Sequence, residues 1–294
     1  MSQDKRLHTA TALAGKMPAL LLHAEKIAHT VMRGAHGRRR TGQGETFWQF
    51  RHYQQGDSSR DIDWRQTAKR DDGRNDAFVR EREWEAAQTL YLYRDASASM
   101  DFASRSGTPT KKEYAETILL ALGIITLHGG EQVGLLGTDL APQAHDSAIG
   151  RIFEYLPQQK EMAETGRRIS SRSSVVLIGD FYRPVADTAA FVNGLAARGV
   201  SGLMLQVCDV AEETMPYTGR MKFVDSENPS DDVTIPQVEA VRDEYLKRFS
   251  AHREALSTAT QAAGWRFMHC TTAQKPETVL YDIYHALAAR GGER

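Results

Sequence analysis

Tyr91-Leu92-Tyr93-Arg94-Asp95-Ala96-Ser97-Ala98-Ser99-Met100 runs an apolar strand directly into Asp-x-Ser-x-Ser. The turn gathers one carboxylate and two hydroxyls at the C-terminal end of a strand, the edge at which open α/β sheets bind ligands. Hard oxygen donors without thiol or imidazole suit Mg²⁺ or Mn²⁺ rather than zinc. A second strand, Ser174-Val175-Val176-Leu177-Ile178-Gly179-Asp180, is apolar throughout and also ends on a carboxylate. The bland alternative is an Asx-type turn in which Asp95, Ser97 and Ser99 merely cap the next element. The position of the triplet, after an apolar strand and ahead of Met100 and a helix, argues for a cation site.

The flanking sequence supplies the rest of a sheet. Thr110-x-x-Glu113 is a capping box, and Tyr114, Ile118, Ala121, Leu122 and Ile125 share one helical face. Strands are expected at Gln132–Leu136, Leu203–Cys208 and Trp265–Cys270, with a short edge strand at Met221–Val224. Helices are expected at Ile149–Leu156, at Ala189–Ala197, from Pro236 to Ala263, and at Pro276–Ala289. Apolar strands alternating with amphipathic helices predict an α/β fold, a Rossmann-like doubly wound and mostly parallel sheet covered on both faces. Right-handed crossovers then bring Asp95 and Asp180 to the same rim. Arg94 adjoins Asp95, but strand alternation sends its side chain to the opposite face and predicts no pairing between them.

Upstream, Met17, Leu20, Leu21, Ala24, Ile27 and Val31 recur at helical spacing, which predicts a helix from near Pro18 to near Gly34. From Gly42 to Arg74 the chain is rich in Arg, Asp, Gly and Gln with isolated aromatics, and an irregular but ordered segment is expected. Alternation resumes at Phe78, Arg80, Arg82 and Trp84 as a strand. The chain thus divides into an N-terminal helix with an Arg/Asp-rich segment (1–75) and an α/β domain (76–294).

Lys and Arg number 37 against 38 Asp and Glu, a formal charge of -1, so no global field draws the chain to nucleic acid. Arg38-Arg39-Arg40, with Arg33 and His36, reads as solvated charge; no zinc, RNP-like or helix-turn-helix pattern accompanies it, and contact with anionic lipid is its other use. Two cysteines, Cys208 and Cys270, read as buried cytosolic thiols rather than a disulfide. No secretory pattern opens the chain. Apolar runs such as Ile118–Leu127 fall short of the roughly 18 residues a span needs. A cytoplasmic location is expected.

Asp95, Ser97 and Ser99 together with Asp180 resemble the metal-ion-dependent adhesion site of von Willebrand factor A-type domains. The resemblance implies serines that bind the metal directly, aspartates that act through water or hydrogen bonds, and a partner carboxylate that completes the shell. That family adds a threonine from a loop between the two strands. Thr165 lies nearer the expected place, whereas Thr138 directly continues the strand Val133–Leu136 and reads as a turn residue.

Gly42-x-Gly44-Glu45-x-Phe47, Arg51-x-Tyr53-x-x-Gly56-Asp57-x-x-Arg60-x-Ile62-Asp63-Trp64-Arg65-x-x-Ala68 is similar to the signature of domain of unknown function 58, over about residues 33–185. Members set this block ahead of a von Willebrand factor A-like domain, and many carry two N-terminal membrane spans that this sequence lacks. The resemblance implies a MoxR-type AAA+ ATPase as partner. Within the block, Arg51, Tyr53, Asp57, Arg60, Asp63 and Trp64 serve either as an intramolecular brace of ion pairs or as a docking surface. The expected function is a non-enzymatic interaction module, an adaptor with a metal-dependent adhesion-type site. The alternatives are a scaffold with a vestigial site and a Mg²⁺-dependent phosphohydrolase using Asp95 as nucleophile. Against the hydrolase, Ser97 stands where a second acid is required, and no phosphate-cradling loop occurs.

Overall fold

The computed structural model describes residues 20–32, 48–52, 78–82, 88–145, 147–162, 169–171, 173–228 and 230–288. In chain order its elements are helix α1 (20–32), strands β1 (Trp48–His52), β2 (Phe78–Arg82) and β3 (Thr89–Arg94), and helix α2 (Lys111–His128). Next come β4 (Gln132–Leu135), α3 (Ser147–Tyr155), β5 (Ser174–Gly179), α4 (Val185–Ala196) and β6 (Ser201–Cys208). The chain continues through α5 (Val210–Thr214), β7 (Met221–Val224), β8 (Asp232–Ile235), α6 (Arg242–Ala262), β9 (Arg266–Thr271) and α7 (Pro276–Ala288).

By contacts the chain falls into two units: residues 36–86, and residues 1–35 together with 87–294. In the smaller, β1 and β2 pair antiparallel, from Trp48 opposite Arg82 to His52 opposite Phe78. Part of the segment expected to be irregular is therefore a strand. The alternation of Trp48, Phe50 and His52 with Gln49 and Arg51 is five residues long, too short to stand out among the surrounding Arg and Gln.

In the larger unit five strands form one sheet in the order β4-β3-β5-β6-β9, every pair parallel. An antiparallel bridge, Val133 to Gln143, is added at the β4 edge. Alternate residues feed two cores. Leu90, Leu92, Val176, Ile178, Leu203 and Leu205 face α1, α2, α3 and α7, while Tyr93, Val175, Leu177 and Met204 face α4 and α6. Burial on both faces is why these strands read as continuous apolar runs. The fold is the doubly wound α/β one expected, here with an all-parallel main sheet. Helix α1 joins it through Ala24, Ile27, Ala28 and Val31, all buried.

The capping box forms as expected, Glu113 N–H donating to Thr110 Oγ1 and Thr110 N–H to Glu113 Oε2, both at 3.1 Å. Two boundaries differ. Helix α6 starts at Arg242 rather than Pro236, because Gln237 is extended and a 3-10 turn, Val238–Ala240, intervenes. Strand β7 is not an edge of the main sheet; it pairs antiparallel with β8 in a separate hairpin.

Cys208 and Cys270 are free and buried at the ends of adjacent strands. Burial first, then the nearby Glu212 charge, pushes the Cys208 thiol up to about 11, and burial raises Cys270 as well. The reactive species is the thiolate, so neither thiol of the folded protein should react with a disulfide reagent at pH 8. Both should titrate once denaturant is added; a fast-reacting thiol in the native protein would contradict this packing.

Candidate functional site

Crossover through α2 leads from β3 to β4, and crossover through α4 leads from β5 to β6 on the opposite face. The strand order therefore reverses between β3 and β5, the point at which open α/β sheets bind ligands outside the C-terminal strand ends. Asp95 leaves β3 and Asp180 leaves β5 at this point. Asp95 N–H extends the ladder by donating to Ile178 O at 2.8 Å. Gly179 makes the approach of the two strand ends feasible, since a Cβ there would stand 2.4 Å from the Asp95 Cβ.

The sequence-predicted oxygens converge. Ser97 N–H donates to Asp95 Oδ1 at 3.1 Å, the Asx-type contact of the bland alternative. More than an Asx turn is present. Ser97 is the N-cap of a 3-10 turn, Ala98–Asp101, yet its hydroxyl makes no capping bond. It lies 3.1 Å from Ser99 Oγ, and the Ser99 hydroxyl donates to Asp180 Oδ2 at 2.7 Å. Both aspartates are buried at 1% exposure. Asp180 Oδ1 is buried without a hydrogen-bond partner, an arrangement that normally costs about 1–3 kcal/mol. The next residue, Phe181, is fully buried with φ 54°, a left-handed conformation that is strained for a bulky side chain.

Two cations back the aspartates. Lys111 Nζ, fully buried, donates to Asp180 Oδ2 at 2.8 Å and to Glu212 Oε1 at 2.6 Å. It also lies 4.6 Å from the Tyr182 ring centre. Burial alone would lower the Lys111 pKa, but Asp180 and Glu212 outweigh it and raise it, so the group is an ammonium. Arg183 Nη2 stands 3.7 Å from Asp95 Oδ1. Burial, and next the charge of Asp180, raise the Asp95 carboxyl above its ordinary value despite that arginine. Arg94 does not pair with the Asp95 carboxylate, as expected: it donates to the Asp95 and Leu156 carbonyls at 3.1 Å and meets Glu116 at 3.3 Å.

An oxygen-only donor set, an orphaned carboxylate oxygen and an Asp95 charge disfavoured by its surroundings fit a hard divalent cation. Asp95, Ser97, Ser99 and Asp180 are the residues that would hold it. Among the described residues no group of three or more His, Cys, Asp or Glu is placed to bind a metal; this cluster has two carboxylates and relies on hydroxyls. Thr138 is a turn residue, its hydroxyl donating to Leu135 O at 2.9 Å. Thr165, the block from Tyr53 to Trp64 and the arginines 38–40 lie outside the described residues, as does the side chain of Arg51.

A family model described as "Protein of unknown function DUF58" matches residues 49–255. The chain belongs to this family. The match to DUF58 runs past β5 to α6, further than the signature block alone indicated. An uncharacterized protein of Mycobacterium tuberculosis and its counterpart in Mycobacterium bovis are 24% identical to this DUF58 chain over 297 aligned residues, covering 95% of it and 90% of theirs. Among solved structures, BatB from Bacteroides thetaiotaomicron is 13% identical with a TM-score of 0.42, covering 69% of this chain and all of that one. The SpRpn10 VWA domain is 10% identical with a TM-score of 0.37, covering 67% and 95%. At those scores neither bears on function, and the fold rests on the strand order above.

Lys111, Glu212, Arg183 and Glu227 complete the surroundings, and the sequence reading passed over all four. Lys111 was findable: it precedes Tyr114 by three residues and Ile118 by seven, so it falls on the buried stripe of α2. Asp209-x-x-Glu212 is a second capping box, opening α5. Glu227 carries no local signal; its Oε1 accepts the Ser99 N–H at 3.1 Å from across the chain.

Replacing Lys111 by Met leaves Asp180 and Glu212 buried without their cation and should lower unfolding stability by about 3–5 kcal/mol. Adding Glu212→Gln to it should recover part of the loss. Denaturant titration checks both; an unaffected single variant would show that the ammonium is not the counter-charge of Asp180.

Proposed function

We propose that this DUF58 chain is a non-enzymatic interaction module in which Asp95, Ser97, Ser99 and Asp180 hold Mg²⁺ or Mn²⁺ and a carboxylate of a protein partner completes the shell. The observation that carries it is the meeting of these four side chains at the point where strand order reverses, with one Asp180 oxygen left unpartnered. The cation would supply a positive charge that few direct anions neutralise, and so would draw an acidic side chain. Tyr182, 38% exposed beside Lys111, offers the partner an aromatic contact at the rim. A MoxR-type AAA+ ATPase, in a chaperone-like or complex-maturation role, is the partner class that family resemblance favours. We place this work in the cytoplasm. Among the described residues no helix is long and apolar enough to cross a membrane.

One observation favours a second reading, a scaffold with a vestigial site: Lys111 already supplies a positive charge to Asp180. A hydrolase is disfavoured because the position two residues after Asp95 is Ser97.

Mg²⁺ at a hundredfold excess over its Kd should stabilise the protein by about 2.7 kcal/mol, a rise in melting temperature of roughly 4–5 °C for a chain of this size. Asp95→Ala/Ser97→Ala should show no such rise. Pull-down from native lysate should lose the partner when a chelator is added. Capture that persists in chelator would remove the metal bridge and leave the scaffold.

A further inference from the structure

The tip between β7 and β8 is acidic, with Asp225, Glu227, Asp231 and Asp232, yet it comes up to a cluster that already holds Asp95 and Asp180. Like charges repel, so the approach needs compensation. Glu227 Oε1 finds it in the Ser99 N–H, at 3.1 Å, on the residue whose hydroxyl donates to Asp180. This N–H belongs to the first turn of the 3-10 segment, which is otherwise left without a side-chain cap.

The tip is a built element. Asp225 N–H donates to Asp231 O at 3.0 Å and Asp231 N–H to Asn228 O at 2.8 Å. Glu227 N–H donates to Asp225 Oδ1 at 2.8 Å, and Asn228 Nδ2 to Asp231 Oδ2 at 2.9 Å. These bonds fix the loop so that Glu227 is presented outward from it. The strands behind are lightly held. Val224 and Val233 are 54% and 61% exposed. Gly219 N–H on Glu239 Oε1, at 2.8 Å, anchors the chain entering the base, and the Tyr217–Phe223 ring contact holds β7 part-way along its length. An isolated hairpin is marginally stable in water, so fastening at base and tip suits an arm that pivots.

We propose that the β7–β8 hairpin is a latch in which Glu227 occupies the place that an acidic residue of the partner takes at the Asp95–Ser97–Ser99–Asp180 cluster. The inference rests on the carboxylate-binding reading above and deepens it. The ligand class is an acidic peptide resembling the tip itself, and binding requires the arm to lift. A tethered carboxylate competes at an effective concentration on the order of millimolar. Single acidic side chains are thereby rejected, and partners that add contacts beyond the carboxylate are admitted.

Hydrogen exchange on the full chain tests the latch. In Glu227→Ala the Ser99 amide and the amides of β7 and β8 should exchange about tenfold faster than in wild type, with β3 and β5 unchanged. A labelled peptide with the sequence of residues 225–232 is the second probe. It should bind E227A at least about tenfold more tightly than wild type, and the same peptide with Gln in place of its Glu should not. Unchanged exchange in the hairpin, or equal peptide affinity for the two proteins (none included), overturns the latch. Repeating the titration in chelator separates the two proposals. A preference for E227A that survives chelator keeps the latch and removes the metal bridge, whereas one that needs Mg²⁺ supports both.

Discussion

A carboxylate taken out of water must find positive charge or hydrogen-bond donors within reach, or it will not stay ionised. Asp180 meets that demand on one oxygen only, through the Ser99 hydroxyl and the Lys111 ammonium. Much of the surrounding structure follows from that demand. Lys111 is brought in by the capping box that starts α2, Glu212 by the one that starts α5, and the two meet 2.6 Å apart. Gln206 and His252 then hold the backbone on either side, at the carbonyls of Asp180 and Phe181. The strained Phe181 backbone is thus tied down by groups from β6 and α6.

The sheet and the four oxygens were legible because each has a local cause. Apolar runs such as Val175–Ile178 are long enough to announce strands buried on both faces, and strand ends carrying Asp95 and Asp180 follow from crossover handedness. What escaped has either a weak or a non-local cause. β1 is short and its alternation is diluted by polar residues. β7 was visible, but its partner β8 was not, because a four-residue strand after an acidic loop has almost no pattern of its own. Glu227 could not have been found from its neighbours, since its contact is with Ser99, 128 residues away in sequence. Lys111 is the instructive miss: a cation on an apolar stripe is a local conflict, and such conflicts tend to mark places where something other than packing is being served.

The same cluster shows why charge count alone describes the site poorly. Asp95, Asp180 and Glu212 face Lys111 and Arg183, so the pocket is close to balanced before any ion or partner arrives. Opposite charges offset one another there, but unevenly. Lys111 sits on one Asp180 oxygen and leaves the other without a partner.

Helix α1 belongs with the sheet although fifty-one residues of the smaller unit separate the two in sequence. Ala24, Ile27, Ala28 and Val31 cover the same core as α2 and α7. The smaller unit is therefore an insertion in the sequence, since residues 1–35 and 87–294 group together on either side of it. A fragment cut to begin at β3 would look complete by strand count yet carry an oily scar where α1 had lain, and would be prone to self-associate for reasons unrelated to the rim.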